Sequence, residues 1–146
     1  RRPIDLRPAL TWKTQIAQVK EVPAGEWVGY GRPFRSVRVT KLAILPIGYY
    51  DGYDRGLSGL GQVLIGGQRA PVVGRVAMNM VAVDVTDNPR ATAGDEVVLL
   101  GKQAAAEVGA EPADEVTAGQ LAGWLGTIHY EVVTRIHERI ERRLAP

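Results

Sequence analysis

The sequence of 146 residues contains no cysteine and only two histidines, His129 and His137. Without cysteine the chain has no disulfide, no thiolate metal ligand and no cysteine nucleophile. Two histidines without a nearby set of partner ligands cannot build a histidine-rich metal site, so we expect no bound metal. The lack of disulfides leaves the redox compartment open but favours the cytosol, and we expect a cytoplasmic protein.

Long apolar runs and a signal peptide are also missing. No segment approaches the roughly 20 apolar residues of a membrane-spanning helix, and the first residues, Arg1-Arg2-Pro3, lack the apolar region of a signal peptide. We therefore expect no membrane partner. Because the chain begins at Arg1 and not at methionine, we also expect a longer parent protein.

Neither sign of charge is in large excess. The 18 lysines and arginines nearly balance the 16 aspartates and glutamates, which leaves a formal net charge of +2. So small an excess does not indicate a basic surface, and nucleic acid is a poor candidate partner. The length and the hydrophobic content of 45% are typical of one globular domain, covering residues 1–146, with its own core.

The first two thirds of the chain consist of short β segments separated by glycine and proline. Gly66-Gly67-Gln68 between two such segments predicts an antiparallel hairpin. The run over 37–45 is rich in valine, threonine, leucine and isoleucine, which predicts a core strand. The predicted strands cover 9–19, 37–45, 62–65, 69–73, 76–85 and 96–100.

The last third changes character. A surface excursion is predicted over 102–112, and apolar spacing predicts a short helix over 114–125 although two glycines weaken it. From about residue 129 onward we expect a terminal helix, with Glu131/Arg135 and Glu138/Arg142 as i,i+4 pairs. Apolar residues step by four through this segment, at Ile128, Val132, Ile136, Ile140 and Leu144.

Four of the five tyrosines lie in two glycine-containing clusters, Val28-Gly29-Tyr30-Gly31 and residues 46–53. Flanking glycines let the backbone bend and present a phenol outward. A phenol can act as a general acid or base once positive neighbours lower its pKa. Tyrosine is equally a favoured strand residue, and Gly-Tyr-Gly is typical of a hairpin corner. The arginines in or near these segments are Arg32, Arg35, Arg55 and Arg75.

Five blocks in the order found here resemble the C-terminal domain of alanine racemases, from about residue 6 to about residue 136. Several blocks in register are far more specific than any one of them. The blocks are LTWKT (10–14), VPAGEWVGYG (22–31), LPIGYYDGY (45–53), GRVAMNM (74–80) and YEVVTRI (130–136).

The resemblance implies a mainly β domain, an antiparallel, Greek-key-like, six-stranded β-barrel with the two helical segments named above. It implies a two-domain enzyme that interconverts L- and D-alanine for cell-wall synthesis. An N-terminal (β/α)₈ barrel would hold pyridoxal 5′-phosphate (PLP) on a lysine. In a head-to-tail homodimer, the β-domain would complete the active site of the partner subunit.

Residue roles follow from the same resemblance. Tyr30 matches the tyrosine that moves the α-proton on one face of the substrate, opposite the barrel lysine, because racemisation needs two opposed acid/base groups. The backbone N–H of Met78 would contact the substrate carboxylate, and Tyr130 would contact the PLP phosphate. Read from the residues alone, Met78 suits core packing equally well. Tyr49, Arg55 and Arg75 could likewise be surface residues. The expected substrate-entrance residues are Tyr49, Arg55, Arg75 and Ile128.

The sequence departs from the family pattern in three places. Asn79 stands where many members have aspartate, and Glu141 stands at the position of a proline in a terminal R-[IV]-P-R strand, so the end is helical or a strand without its proline. No lysine matches the PLP-binding segment, and a (β/α)₈ barrel needs about 200 to 250 residues. We therefore expect a fragment, an excised domain or a stand-alone relative, without PLP and inactive in isolation.

Two alternatives remain open. The missing lysine and altered tail favour a non-catalytic dimerisation or binding module derived from this domain. A racemase acting on serine or a basic amino acid would carry the same blocks, since pocket residues from the barrel would decide that specificity.

Overall fold

The computed structural model describes residues 8–29, 31, 33–105 and 114–144. No helix within these ranges is long and apolar enough to cross a membrane. Two 3₁₀ turns cover Tyr49–Asp51 and Arg55–Leu57. The strands are β1 (Trp12–Gln15), β2 (Gln18–Val22), β3 (Trp27–Val28), β4 (Phe34–Arg35), β5 (Thr40–Leu45), β6 (Gln62–Ile65), β7 (Gln68–Val73), β8 (Val81–Asp84), β9 (Glu96–Gln103) and β10 (Asp114–Val116), and the helices are α1 (Ala118–Leu125) and α2 (His129–Thr134).

Eight of the strands form one antiparallel sheet. Its order is β1-β9-β6-β7-β8-β5-β2, with β10 on β9, while β3 and β4 form a separate hairpin. The predicted mainly β, antiparallel class with two helices is therefore confirmed. The end strands β1 and β2 do not pair with each other in the described sheet, so the closed six-stranded barrel is not confirmed.

The predicted Gly-Gly hairpin is confirmed. Ile65 of β6 pairs with Gln68 of β7, which leaves Gly66 and Gly67 as a two-residue loop. Their φ angles are 60° and 78°, values that glycine adopts at little steric cost and that a type I′ turn requires. This turn fixes the register of the central hairpin, whose apolar side chains enter the core.

The strand predicted over 9–19 is two strands, since β1 ends at Gln15 and β2 begins at Gln18. Two other predicted strands begin too early. Thr40, and not residue 37, begins β5, and the side chain of Val37 is 92% exposed. Val81, and not Val76, begins β8, because residues 77 and 78 bind the backbone of residues 49 and 50 instead of a neighbouring strand. Both differences arise from contacts distant in sequence.

The helix predicted over 114–125 is wrong in its first turn. Asp114–Val116 form β10, where the guanidinium of Arg69 binds the Asp114 carboxylate (Nε to Oδ2 2.7 Å) and the Glu115 carbonyl (2.6 Å). The helix α1 then begins after Thr117, whose hydroxyl accepts a hydrogen bond from the Gln120 N–H in a capping box. Tertiary pairing of β10 thus overrides the helical spacing.

The terminal helix predicted from about residue 129 starts at the expected place but ends at Thr134. The Glu131–Arg135 pair forms, with 2.6 Å between Oε1 and Nη2. Beyond it, Ile136 is buried in the core and the His137 N–H donates to the Asp51 carbonyl. The predicted partner of Glu138, Arg142, donates instead to main-chain carbonyls, among them that of Ile140 at 2.7 Å. Contacts with residues 51 and 52 therefore replace helical continuation.

Candidate active site

Tyr30 itself lies outside the described residues, but the glycines on both sides of it are described. Gly29 and Gly31 lie in the loop between β3 and β4, with φ of 83° and 77°. A Cβ added at Gly29 would lie 3.3 Å from the Arg75 backbone nitrogen, and one at Gly31 would lie 3.4 Å from the Arg75 Nε. The two described glycines beside position 30 therefore lie against Arg75.

The base of this loop is held by a buried serine. Ser36 is 1% exposed, and its hydroxyl lies 2.5 Å from the Pro23 carbonyl and 3.1 Å from the Glu26 carbonyl. Arg35 donates to the Gly25 carbonyl at 2.9 Å and lies over the Trp27 ring. These contacts close the β3–β4 hairpin, which the sequence indicated only through its turn residues.

Tyr49 and Met78 are brought together by main-chain hydrogen bonds. The Tyr49 N–H donates to the Ala77 carbonyl (3.0 Å), and the Tyr50 N–H donates to the Met78 carbonyl (3.1 Å). A Cβ at Gly48 would lie only 2.2 Å from the Ala77 carbonyl oxygen, so this close approach requires glycine. The segment that carries Tyr49 and the segment that carries Met78 are therefore held together.

The Met78 N–H is available for a ligand. Within the part of the chain that the structure describes, it donates to no acceptor, and the Met78 side chain is 51% exposed. An exposed backbone donor suits a carboxylate, which accepts such hydrogen bonds strongly. The exposure also shows that Met78 does not serve as core packing.

Tyr49 and Arg55 line a shared surface pocket of about 350 Å³ with Gly52, Asp54 and Arg135. Arg135 forms ion pairs with Asp54 and with Glu131. Arg55 is exposed and pairs with no carboxylate among the described residues. The pocket thus presents one phenol and one unpaired guanidinium to solvent.

Ile128 and Tyr130 lie at the start of α2, and both are exposed. The ring of Tyr130 contacts that of His129, with centroids 4.1 Å apart, and the Ile128 carbonyl accepts from the Glu131 N–H. Their described contacts do not reach Tyr49 or Met78. The helix is connected to the pocket through Arg135, which follows its last turn.

Tyr53, from the same cluster as Tyr49, is unsuited to proton transfer. Its side chain is fully buried, and burial raises the pKa of its phenol far above the usual range. Its ring packs edge-on to Trp12, and its hydroxyl has no hydrogen-bond partner among the described residues. Tyr53 is a core residue.

Sequence reasoning missed Asp51 and Arg139 near the pocket. The Asp51 carboxylate is buried, accepts a hydrogen bond from the Gly48 N–H at 2.9 Å and pairs with Arg139. The available signal was an aspartate inside an otherwise glycine- and tyrosine-rich block. Its partner, 88 positions later, was hidden in the segment predicted as helix.

Known proteins match this chain over nearly its whole length. The family model for the alanine racemase C-terminal domain matches residues 9–144. An alanine racemase of Halothermothrix orenii is 45% identical over 139 residues, covering 95% of this chain and 35% of that protein. One of Desulfovibrio desulfuricans is 48% identical over 140 residues, covering 96% of this chain and 35% of that protein.

Solved structures of alanine racemases also match nearly the whole chain. The alanine racemase of D-cycloserine-producing Streptomyces lavendulae has a TM-score of 0.80 and 44% identity, covering 92% of this chain and 33% of that one. The Bartonella henselae alanine racemase with covalently bound pyridoxal phosphate has a TM-score of 0.85 and 30% identity, covering 98% and 37%. The chain thus spans about a third of the length of these relatives.

Proposed function

Because this chain belongs to the family of alanine racemase C-terminal domains, we propose that it is the C-terminal domain of an enzyme that interconverts L- and D-alanine. The observation that carries this proposal is the match of 45% identity over 95% of the chain to an alanine racemase. The other two thirds of the enzyme would supply a PLP-binding (β/α)₈ barrel. On this proposal the enzyme is cytoplasmic, and its product D-alanine serves cell-wall synthesis.

Tyr30 is the proposed acid/base on one face of the substrate. Its loop is bounded by two glycines that pack on Arg75, and Arg75 lies three residues before Met78. Because a neighbouring guanidinium favours the phenolate, Arg75 would assist the phenol of Tyr30 in giving up and taking back a proton. The second acid/base would be a lysine of the other domain, and in a head-to-tail homodimer Tyr30 would serve the partner subunit.

The proposed substrate contact is the Met78 N–H, which would hold the alanine carboxylate. Its exposure and its lack of an acceptor within the described residues support this role. Tyr49, Arg55, Arg75 and Ile128 would line the entrance, and the pocket shared by Tyr49 and Arg55 supports this for two of them. Arg55 and Arg75 pair with no carboxylate among the described residues, and their guanidinium groups would attract carboxylates.

The described residues could contact the phosphate of PLP but do not supply its covalent anchor. When bound, PLP supplies an electron sink for the negative charge left after the α-proton departs. Three of the four lysines are engaged elsewhere: Lys13 with Glu96, Lys102 with Glu115, and Lys41 with main-chain carbonyls. The phenol of Tyr130 is exposed and has no hydrogen-bond partner among the described residues, so it would donate to the phosphate, whereas the covalent anchor would belong to the other domain. The isolated chain should therefore be inactive.

We also propose that the sheet forms a Greek-key-like barrel of six strands when β1 and β2 are counted as one. The two residues between them support this closure. The Ile16 N–H donates to the Asp95 carbonyl beside β9, and the Ala17 N–H donates to the Ile44 carbonyl of β5. The continuous segment of β1 and β2 thus bonds to β9 on one side and to β5 on the other, which are the two ends of the remaining strand order.

A chimera tests the function directly. Residues 8–144 would replace the matching third of the Desulfovibrio desulfuricans alanine racemase, and interconversion of D- and L-alanine would be followed by optical rotation. We expect racemisation of alanine, with serine and a basic amino acid as comparison substrates. A folded chimera that binds PLP and racemises none of them would refute the proposal and favour a non-catalytic module.

A further inference from the structure

The loop of residues 48–53 lies between the Met78 segment and the C-terminal segment of residues 135–139. On one side, Tyr49 and Tyr50 donate to the carbonyls of Ala77 and Met78. On the other side, the Asp51 carbonyl accepts from the His137 N–H at 3.0 Å. The loop therefore links the C-terminal segment to the Met78 segment, and a displacement of one can be passed to the other through it.

The Asp51 carboxylate is the centre of this arrangement. It is 4% exposed, and its two oxygens have different partners, the Gly48 N–H and the Arg139 guanidinium. A buried carboxylate is unfavourable unless it is both paired and hydrogen-bonded. The charge of Arg139 thus stabilises the buried carboxylate of Asp51. Asp51 in turn holds the shape of the loop through the Gly48 N–H.

Arg139 makes a second contact with the same loop. Its guanidinium lies 4.4 Å from the centre of the Tyr50 ring, which also stacks on His137 with centroids 5.1 Å apart. Gly52 approaches the C-terminal segment so closely that a Cβ would lie 2.3 Å from the Arg135 carbonyl oxygen. The C-terminal segment and the loop therefore have little freedom to move separately.

We propose that Asp51 and Arg139 are a positioning pair that fixes the Tyr49 ring and the Met78 N–H for the substrate carboxylate. Neither residue needs to touch the substrate, because each acts through the loop of residues 48–53. This inference rests on the proposed function, in which the Met78 N–H binds that carboxylate. It gives the C-terminal segment a role in substrate affinity.

The test uses the full-length racemase that carries this domain, with the variants Asp51→Asn, Arg139→Met, Arg139→Lys and the double variant of the first two. We expect KM for alanine to rise about 10-fold in each of Asp51→Asn and Arg139→Met while kcat changes less than about 2-fold, since uniform binding is lost. The double variant should be no worse than either single one, because one interaction is removed. Arg139→Lys keeps the charge and should recover most of the loss.

Arg143→Met is the matched control. Arg143 lies in the same segment and pairs with Glu141, but both side chains are largely exposed, so KM should not change. Unchanged KM in both Asp51→Asn and Arg139→Met, additive effects in the double variant, or an equal rise in Arg143→Met would each overturn the proposal. If Arg139→Met does not fold, the nearly isosteric Asp51→Asn decides in the same way.

Hydrogen exchange gives a readout that does not depend on activity. The Tyr50 amide, bonded to the Met78 carbonyl, should exchange faster in Arg139→Met and Asp51→Asn than in Arg143→Met. A wild-type enzyme that does not racemise alanine would refute the proposed function alone. Unchanged Tyr50 exchange would overturn the positioning pair, whatever the activity.

Discussion

A single added methyl group at Gly48 should separate the Tyr49 loop from the Met78 segment. The Cβ of alanine would lie 2.2 Å from the Ala77 carbonyl oxygen and 2.4 Å from that of Met78. Both atoms belong to the backbone, so no side chain can rotate away to make room. The two segments must move apart by roughly 1 Å to reach ordinary van der Waals contact.

The expected loss of stability follows from these contacts. Overpacking in a well-packed region destabilises by about 1–3 kcal/mol. Separating the segments also weakens the hydrogen bonds from the Tyr49 and Tyr50 N–H groups, each worth about 1 kcal/mol. We therefore expect Gly48→Ala to lower the free energy of unfolding by about 3–5 kcal/mol.

Urea unfolding followed by tryptophan fluorescence measures this loss, since Trp12 is buried in the core. Gly123→Ala is the matched control, because a Cβ there meets nothing within 4 Å in helix α1. Alanine at that position should stabilise the chain by about 0.5–1 kcal/mol. A Gly48→Ala variant within about 1 kcal/mol of the wild type would refute the reasoning.

Two further predictions concern stability. Tyr53→Phe removes a buried hydroxyl that has no partner among the described residues, so calorimetry should show unchanged or higher stability, by up to about 2 kcal/mol; a clear loss would mean that the hydroxyl is hydrogen-bonded. The hydrogen bond from Arg69 lowers the pKa of Asp114 below its usual 3.8, so the stabilisation is present above that value and is lost as the pH falls through the lower, folded-state pKa. Urea midpoints between pH 6 and 2 should therefore fall more steeply for the wild type than for Arg69→Met, and equal slopes would contradict this.

Local turn chemistry was predictable from the sequence because a few adjacent residues determine it. Gly66 and Gly67 have the positive φ angles that a two-residue hairpin needs, and the strands on each side follow from that turn. The ordered sequence blocks predicted the family, which the comparisons confirm. They also predicted Tyr49 and Arg55 as substrate-entrance residues; both line one surface pocket, and their role stays a prediction.

The errors have one physical cause, which is tertiary contact between distant segments. Apolar spacing in the C-terminal segment is helical, yet Ile136 is buried and Arg139 pairs with Asp51, so the chain leaves the helix after Thr134. Asp114 joins a strand because Arg69 holds it there. No local pattern reveals a partner 45 or 88 positions away.

The central claim is that Tyr30 transfers the α-proton, and a pair of tyrosine-to-phenylalanine variants in the full-length racemase tests it. Tyr30→Phe should lower kcat for alanine racemisation by about 10²- to 10⁴-fold without loss of the PLP absorbance band. Tyr53→Phe removes the same atom from a buried ring and should keep wild-type activity. Wild-type racemisation by Tyr30→Phe would contradict the claim.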